Sequence, residues 1–537
     1  MYSILVKKYS WQVIITMTYI LKTKIKNFKK FREYEVQFDP KRNILIGDNE
    51  AGKSTILTAI ELVLSGSRSK VDSLGIEALL NVRVVSEFLA GEKSIDRLPS
   101  LHIELFLNET DNPDLNGRNN SDGIYADGLQ LICEPNEELS AEIRQVLDTE
   151  GDNFPFEFYV AKFITFNGDA YSSYRKFLRF LSIDSTQINN EYANSQYVKA
   201  MYEATVEQPV RYSLMNEYRQ QKSAFRDTQL NVINDDLEGY DFAIRSGSKF
   251  NLETDLTLTE EGIPIENRGK GKQCFIKTAF ALRERDEGKR IDVLLLEEPE
   301  NHLSHTSMYK LISQVEKAHD NQVIIATHSS LISSRLDLRK SILLNSAAIR
   351  PASLTDLTRD TAKFFAKAPN HNILEHVLSE KVILVEGDAE YILMECLYER
   401  TKGHAPSEDG VHIISVGGTS FKRYMEVSKL LNIRTAVIRD NDSDYQKNCI
   451  DNYRDYQADC ITVCADPDNT RTTFEICMYQ DNRDICDDLF SGGKIQLTPQ
   501  QYMLNNKTTA AFRLLDEKAN EITVPPYIRE AIEWISE

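Results

Sequence analysis

One stretch constrains the fold more than any other, because it joins an apolar strand to a helix through a glycine-rich loop: NILIGDNEAGKSTILTAIELVL. Gly47, Gly52, Lys53 and Ser54 have the spacing of a phosphate-binding loop, whose backbone N–H groups face a polyphosphate at a helix N-terminus. Lys53 is predicted to contact the terminal phosphates of ATP, and Ser54 a magnesium ion. The predicted nucleotide-binding residues of this loop are Asn49, Gly52, Lys53, Ser54 and Thr55.

Two later strands end in polar residues that suit the same site. The segment IDVLLLEEPENHL (291–303) places Glu297 and Glu298 directly after an apolar run. Glu297 is predicted to lie near the magnesium ion and Glu298 beside the attacking water. The strand QVIIATH places His328 at a third strand end, where it could sense the γ-phosphate. Taken singly, these features are also explained by a solvated acidic strand end and a structural histidine.

Bulk properties limit the remaining possibilities. A chain of 537 residues should hold two or more domains, and its formal net charge of -19 argues against a generally basic nucleic-acid coat without excluding a local basic patch. The eight cysteines lack the spacing of a zinc site, which predicts reduced thiols in a cytoplasmic protein. Residues 1–16 are predicted to be an N-terminal extension that neither directs secretion nor spans a membrane.

A glycine-containing turn that runs into a helix, NRGKGKQCFIKTAFAL (267–282), lies where ATP-binding cassette (ABC) proteins carry their signature sequence. With the motifs above, residues 17 to about 345 resemble ABC-type ATPases of the SMC-like branch. The resemblance implies that two ATPase heads pair, so we expect a homodimer or higher homo-oligomer. Lys270 and Lys272 depart from the family pattern of Ser and Gly, and Glu297 replaces the usual aspartate. The polar segment from about 182 to 237 is predicted to be a helical insertion that forms a dimer interface.

The second half of the chain alternates strands and helices. The strands VILVEG, VHIISVGG and TAVIRDND predict a parallel sheet with Glu386 and Asp440 at the carboxyl ends of its strands, where such sheets place their sites. Asp442 follows two residues later. Carboxylates gathered in this way suit Mg²⁺ or Mn²⁺, although an acidic strand end alone is more often a solvent-exposed cap.

These acids, in this order, resemble the Toprim domain over residues 378 to about 450. An SMC-like P-loop ATPase followed by Toprim resembles the OLD (overcoming lysogenization defect) family of ATP-dependent nucleases, which includes the nuclease subunit of the Gabija defence system. The resemblance implies catalytic roles for Glu386, Asp440, Asp442 and Lys507, with Glu298 as the base of the ATPase. Lys507 is also compatible with an ordinary surface position on a helix. The metal ligands implied by the resemblance are Glu386, Glu390, Asp440, Asp442 and Glu475, with Ser54 in the ATPase half.

The predicted fold class is therefore α/β: an ABC/SMC-like ATPase over residues 17–370, with its helical insertion, followed by a doubly wound Toprim domain over 371–537. The family resemblance implies an ATP-regulated DNA endonuclease in anti-phage defence, with ATP and Mg²⁺ or Mn²⁺ as cofactors. Expected partners are DNA, a second copy of the chain, and a further protein. That protein would be helicase-like or a retron reverse transcriptase with its RNA and DNA.

Two other classes of function remain open on the sequence. The first is a nucleotide-gated DNA-binding scaffold of SMC type with an inactive Toprim domain. The second is a topoisomerase or primase, since these enzymes also use Toprim. Their ATPases are not P-loop cassettes, and we find no second domain that offers a nucleophilic tyrosine. A metal-dependent DNA-nicking assay separates the three classes.

Overall fold

The computed structural model describes residues 17–149, 153–186, 191–234, 240–245, 251–283, 291–318, 321–344, 351–367, 373–418, 420–491 and 497–537. The chain divides into two compact units. The first holds residues up to 45, 49–327 and 344–351, and the second holds residues 46–48, 328–343 and 352–537. The predicted extension at residues 1–16 lies outside the described residues.

The first unit begins with a strand hairpin and contains two main sheets. Its strands are β1 (Ile20–Phe28), β2 (Phe31–Gln37), β3 (Arg42–Ile46), β4 (Leu101–Leu107), β5 (Asn116–Gly117), β6 (Ala126–Pro135), β7 (Tyr159–Thr165), β8 (Phe180–Asp184), β9 (Thr259–Glu260), β10 (Ile263–Pro264), β11 (Val293–Glu297) and β12 (Gln322–Ala326). Its helices are α1 (Lys53–Ser65), α2 (Arg68–Leu74), α3 (Ile76–Leu79), α4 (Val82–Ala90), α5 (Ser140–Leu147), α6 (Glu191–Thr205), α7 (Gln208–Phe225), α8 (Asn231–Asn234), α9 (Leu252–Asp255), α10 (Lys270–Ala281) and α11 (His305–Lys317).

The nucleotide-binding motifs lie on a parallel sheet in which β12 separates β3 from β11, and β8 flanks β11. Its strands are nearly continuous apolar runs, as expected for strands buried on both faces. A second sheet, built from β1, β2, β4, β6 and β7 with the short β5, is antiparallel. Helix α1 packs against β4 and β6 with a buried apolar face. The predicted apolar face of α11 is buried at Met308, Leu311, Ile312 and Val315.

The helical insertion begins later than predicted. Residues 182–184 are the end of β8, which pairs with β11 in the parallel sheet. The strand has the sequence FLSID, in which polar Ser182 and Asp184 alternate with apolar residues, so its end resembles the polar segment that follows it. Helix α6 packs on β8 through buried side chains that include Tyr197 and Met201. Among the described residues, none of the side chains of α7 is buried.

The second unit contains a four-stranded parallel sheet and one antiparallel strand pair. Its strands are β13 (Ser341–Leu343), β14 (Ala352–Ser353), β15 (Lys381–Val385), β16 (Val411–Ser415), β17 (Arg434–Ile438) and β18 (Ile461–Cys464). Its helices are α12 (Ser330–Arg335), α13 (Arg359–Lys367), α14 (Ile373–Leu378), α15 (Asp388–Lys402), α16 (Phe421–Leu431), α17 (Phe474–Asp481), α18 (Arg483–Phe490), α19 (Pro499–Asn505), α20 (Lys507–Lys518) and α21 (Pro526–Ser536). The predicted α/β class, with a parallel ATPase sheet followed by a second parallel sheet, is confirmed.

The four strands β16, β15, β17 and β18 lie in that order and run parallel. Because β16 and β17 flank β15 on opposite sides, the strand order reverses at β15 and leaves a crevice at the carboxyl ends of β15 and β17. The C-terminal helix α21 covers β17 and β18. Its predicted core stripe is fully buried, at Ile528, Ala531, Ile532 and Ile535. Within the described ranges, no helix has both the length and the apolar character needed to cross a bilayer.

A buried amide fastens the loop that leads from β18 to α17. Asn441 is 1% exposed, and its Nδ2 donates to the carbonyl oxygens of Asp466 (2.8 Å), Asp468 (2.9 Å) and Arg471 (3.1 Å). Its Oδ1 accepts a hydrogen bond from the backbone N–H of Ser443. One side chain therefore joins the segment after β17 to the loop that positions α17.

We predict that Asn441→Asp destabilises the second unit by about 2–4 kcal/mol, because a carboxylate would face three carbonyl oxygens with no proton to donate. Denaturant unfolding followed by the fluorescence of Trp534, in a Trp11→Phe background that leaves one tryptophan, measures the effect. Asn520→Asp, at an exposed position of the same unit, is the matched control. Equal unfolding midpoints for the two variants would contradict this role of Asn441.

Candidate functional site

The phosphate-binding loop is formed as predicted, between β3 and the first turn of α1. Gly52 has a φ of 103°, and a Cβ atom at this position would lie 2.4 Å from Cζ of Phe31, so both the backbone angle and the space require glycine. Lys53 opens α1 and is 6% exposed. The ammonium group of Lys30 donates to the carbonyl oxygen of Glu50 in the same loop. Lys30 and Lys53 therefore supply positive charge to the loop, as the binding of an anionic ligand requires.

Glu297 lies where a magnesium ligand is expected. Burial raises the pKa of Glu297, and the nearby carboxylates of Asp184 and Glu298 add to this effect, while a hydrogen bond from Ser54 opposes it. Asp184 ends β8 at the position that pairs with Glu297 of β11. Ser54, Asp184 and Glu297 therefore meet at the carboxyl ends of the strands. Together they supply the hard oxygen donors that Mg²⁺ prefers.

Glu298 is held in an unusual backbone conformation. Its φ is 44°, its N–H donates to the carbonyl oxygen of Ala326 (2.8 Å), and its Oε2 accepts from Nδ2 of Asn301 (2.7 Å). A left-handed conformation costs energy for a non-glycine residue and is retained where the surroundings fix it, often at functional positions. The carboxylate is thus aimed by its backbone and by Asn301. His328 follows β12 by two residues and is exposed.

The signature-like segment forms the first turn of α10. Gly271 lies against the chain at His302, where a Cβ atom would approach the carbonyl oxygen to 2.3 Å. Lys272, one of the two departures from the family pattern, pairs with Glu260 at 2.9 Å. Lys270 and Lys272 line a groove of about 400 Å³ together with Lys310. This surface is more basic than the Ser and Gly of the ABC pattern would make it.

The crevice of the second unit gathers the acids that the OLD resemblance singled out. Glu386 directly follows β15, and Asp440 follows β17 after one residue. Glu390 lies in the first turn of α15 and Glu475 in the first turn of α17. Glu390 is 7% exposed and Glu475 is 3% exposed. Four carboxylates from three separate segments of the chain therefore share one site.

The electrostatics indicate an excess of negative charge. Burial, together with Glu390, Glu386 and Glu475, raises the pKa of Asp440 to about 8. The pKa of Glu390 is raised as well, first by burial and then by Glu475 and Glu386. Oδ1 of Asp440 accepts a hydrogen bond from the backbone N–H of Phe474. This one hydrogen bond stabilises the carboxylate less than the three neighbouring acids destabilise it. The cluster therefore favours a cation or a bound proton.

Two basic side chains of the protein offset part of this charge. Nζ of Lys507, at the start of α20, lies 3.0 Å from Oε1 of Glu475. Burial acts to lower the pKa of Lys507, but Glu475 and Asp440 outweigh it, and the net shift is upward. Arg439 donates through Nη1 to Glu386 and through Nη2 to Asp442 (2.6 Å). Lys507 is thus close to the acids, as predicted, although its side chain is 51% exposed.

The residues fit a divalent cation by their chemistry, but they do not form a ready-made coordination shell. Oε2 of Glu475 is buried without a hydrogen-bond partner among the described residues. This oxygen, close to Asp440 and Glu390, can therefore serve as a ligand for a hard cation. Within the same residues, no three His, Cys, Asp or Glu side chains are arranged as a complete metal site. Glu386 and Asp442 contact Arg439 instead.

Sequence reasoning missed three residues of these sites. Asp184 was assigned to the insertion, because the five-residue strand that it ends gives only a weak apolar signal, at Phe180, Leu181 and Ile183. Arg439 and Asn441 flank Asp440, but neither residue type signals a role until the chain folds. The structure places Asp184 with Glu297, and Arg439 with Glu386 and Asp442.

Models of known families match both halves of the chain. A model described as "Overcoming lysogenization defect protein-like, TOPRIM domain" matches residues 377–442. Models described as AAA domains match residues 22–241 and 201–334. Among curated proteins, none matches the sequence.

Solved structures of OLD proteins and SMC heads are similar in part. The C-terminal region of the Xanthomonas campestris pv. campestris OLD protein is 20% identical, covers 29% of this chain and 94% of its own, and has a TM-score of 0.22. The corresponding region of the Burkholderia pseudomallei OLD protein is 20% identical and covers 29% of this chain and 97% of its own, with a TM-score of 0.24. The SMC head domain from Thermotoga maritima is 13% identical and covers 60% and 93%, with a TM-score of 0.28.

These TM-scores are low, so the assignment rests on the family models, which match the two halves in the predicted order. The chain carries an AAA-type ATPase region followed by an OLD-like Toprim domain, which is the architecture of the OLD family.

Proposed function

We propose that this protein is an ATP-regulated, divalent-metal-dependent DNA endonuclease. One observation carries the proposal: Glu386, Glu390, Asp440 and Glu475 meet at the carboxyl ends of two parallel strands, with Lys507 beside them. The strand order reverses at this point, where open α/β sheets bind their ligands. The resemblance to the OLD family supports the proposal of cleavage within DNA and of a role in anti-phage defence.

The side chains divide the chemical tasks. Divalent cations, when bound, activate water and stabilise the leaving oxygen of a phosphodiester. Asp440, Glu390 and Glu475 would hold them, with Glu386 and Asp442 as further ligands. Asp440 is fixed by the N–H of Phe474. The ammonium group of Lys507 would offset the charge that develops on the scissile phosphate.

The ATPase unit is proposed to act as the switch. Lys53 would contact the phosphates, Ser54 and Glu297 would hold Mg²⁺, and Glu298 would orient the attacking water. His328, exposed after β12, is proposed to sense the γ-phosphate. Asn49 and Thr55 complete the loop around ATP.

The second candidate is a nucleotide-gated DNA-binding scaffold with an inactive Toprim domain. One observation favours it: Arg439 pairs with both Glu386 and Asp442, so these two acids already share one positive charge without a metal. A scaffold requires DNA binding but no cleavage. The nicking assay below decides between the two functions.

A homodimer or higher oligomer is proposed from the SMC-like character of the ATPase half. Helix α7 has the exposed apolar side chains Val210 and Leu214 one turn apart, so a second copy could cover them. Light scattering of full-length Glu298→Gln protein with and without ATP tests this. A monomer under both conditions would exclude it.

We predict that Asp440→Asn and Glu386→Gln abolish plasmid nicking in Mg²⁺ or Mn²⁺, because each removes a charged metal ligand while keeping the side-chain shape. Asp459 is exposed just before the amino end of β18, which is the end of the strand opposite to the proposed site. The Asp459→Asn variant should therefore cut DNA like the wild type. A wild-type protein that binds DNA without nicking it would favour the scaffold. Nicking by Asp440→Asn at the wild-type rate would remove Asp440 from the catalytic set.

We predict that Lys53→Ala loses ATP binding and that Glu298→Gln binds ATP but hydrolyses it slowly, because the first change removes a phosphate contact and the second removes the candidate base. Calorimetry measures the affinity, and phosphate release measures hydrolysis. Lys70→Ala, which removes a half-exposed lysine on α2, should leave both values unchanged. Wild-type affinity in Lys53→Ala would rule out the assigned nucleotide contact.

We predict that Lys507→Ala slows DNA cleavage about 10²–10³-fold, as expected for the loss of one preorganised charged donor. ATP hydrolysis should persist. Lys507→Arg should retain part of the activity, because it keeps the charge but not the compact ammonium geometry. Lys518→Ala removes a lysine from the other end of α20 and is the matched control. Cleavage by Lys507→Ala within a factor of about two of the control would make Lys507 an ordinary surface lysine.

A further inference from the structure

Arg439 occupies an unusual place among the acids of the second unit. It directly follows β17 and precedes Asp440, and its side chain is 6% exposed. Its Nη1 donates to Oε2 of Glu386 and its Nη2 to Oδ2 of Asp442, the latter at 2.6 Å. Its Nε is buried without a hydrogen-bond partner among the described residues. The guanidinium group thus bridges two carboxylates of the proposed metal site.

A bridging guanidinium competes with a metal ion for the same lone pairs. A carboxylate oxygen that accepts a short charge-assisted hydrogen bond offers less of its lone-pair density to a cation. Breaking such a pair also leaves a buried guanidinium short of partners, which opposes its release. Glu386 and Asp442 therefore have an internal counter-charge that competes with an incoming cation for Oε2 of Glu386 and Oδ2 of Asp442.

The remaining acids differ in this respect. Asp440, Glu390 and Glu475 crowd one site, where the carboxylate of Glu475 adds to the negative charge around the other two, and Oε2 of Glu475 has no partner among the described residues. Their nearby cation, Lys507, contacts Oε1 of Glu475 and is half exposed. The acidic site is thus divided into a pair of acids that share the charge of Arg439 and a group of three acids with a larger surplus of negative charge.

We propose that Arg439 is a positioning residue, an internal cation that holds Glu386 and Asp442 until a divalent ion displaces it. A cation then binds readily at Asp440, Glu390 and Glu475, whereas occupancy that involves Glu386 and Asp442 requires a higher metal concentration. Full assembly of the proposed nuclease site therefore depends on divalent-ion concentration. This inference rests on the proposed function, since it concerns the same metal site.

Mn²⁺ binding to full-length, nucleotide-free protein tests the proposal without any measurement of cleavage. Free Mn²⁺, followed by its electron paramagnetic resonance signal, should reveal a stronger and a weaker class of site in the wild type. Arg439→Gln should tighten the weaker class about tenfold or more, because the competing charge is gone. Arg434→Gln, the same substitution at the first residue of β17, where the side chain contacts the carbonyl oxygen of Trp534, should leave both classes unchanged.

Two further variants make the result specific. Arg439→Lys keeps the charge but lacks the planar fork through which the guanidinium holds both carboxylates, so it should give an intermediate affinity even if Arg439→Gln does not fold. In a Glu386→Gln background, where the guanidinium has lost one of its partners, the effect of removing Arg439 should shrink. The melting temperature without metal should fall in Arg439→Gln, and its rise on adding Mn²⁺ should exceed that of the wild type.

The outcomes separate this inference from the proposed function. Unchanged or weaker Mn²⁺ binding in a folded Arg439→Gln or Arg439→Lys protein would overturn the role of Arg439, while wild-type Mn²⁺ binding and DNA nicking would leave the nuclease proposal standing. A wild-type protein that binds no Mn²⁺ would overturn both.

Discussion

Negative charges gathered at the end of a parallel sheet must be compensated, and much of the second unit is arranged around this constraint. The carboxyl ends of β15 and β17 bring Glu386 and Asp440 together, and the first turns of two helices add Glu390 and Glu475. Burial makes their mutual repulsion costly, as the raised pKa of Asp440 reflects. Basic groups, bound protons or metal ions must supply the missing positive charge.

The protein supplies part of that charge itself. Arg439 bridges two acids and Lys507 pairs with a third, while the backbone N–H of Phe474 supports Asp440. Because Phe474 opens α17, the loop held by Asn441 also sets the position of Glu475. Charge compensation and loop geometry are therefore linked within a few residues. A metal ion would therefore compete with contacts that already hold the acids in place.

The ATPase unit uses the same arrangement with a different balance. Glu297 and Asp184 lie on adjacent parallel strands, and Ser54 reaches the carboxylate of Glu297. Burial disfavours the charge on Glu297, so a magnesium ion bound with ATP would restore the balance. In both units, the end of a parallel sheet concentrates acids, and the ligand or the protein must neutralise them.

The sequence by itself determined the phosphate-binding loop, the two acidic strand ends and the parallel sheet of the second unit, because their signals are local. Each signal depends on residues that are close together in the sequence. Examples are the glycine at position 52, the apolar runs before Glu297 and Asp440, and the helical spacing of the stripe in α21. Reliance on local signals also misplaced the start of the insertion, since a five-residue strand in a polar region leaves a weak signal.

Only the tertiary structure decided that Asp184 joins Glu297, that Arg439 bridges Glu386 and Asp442, and that Asn441 holds a loop some 25 to 30 residues away. These contacts join side chains whose types are common on any surface, and their charge and hydrogen-bonding capacity acquire a role only when folding buries them together.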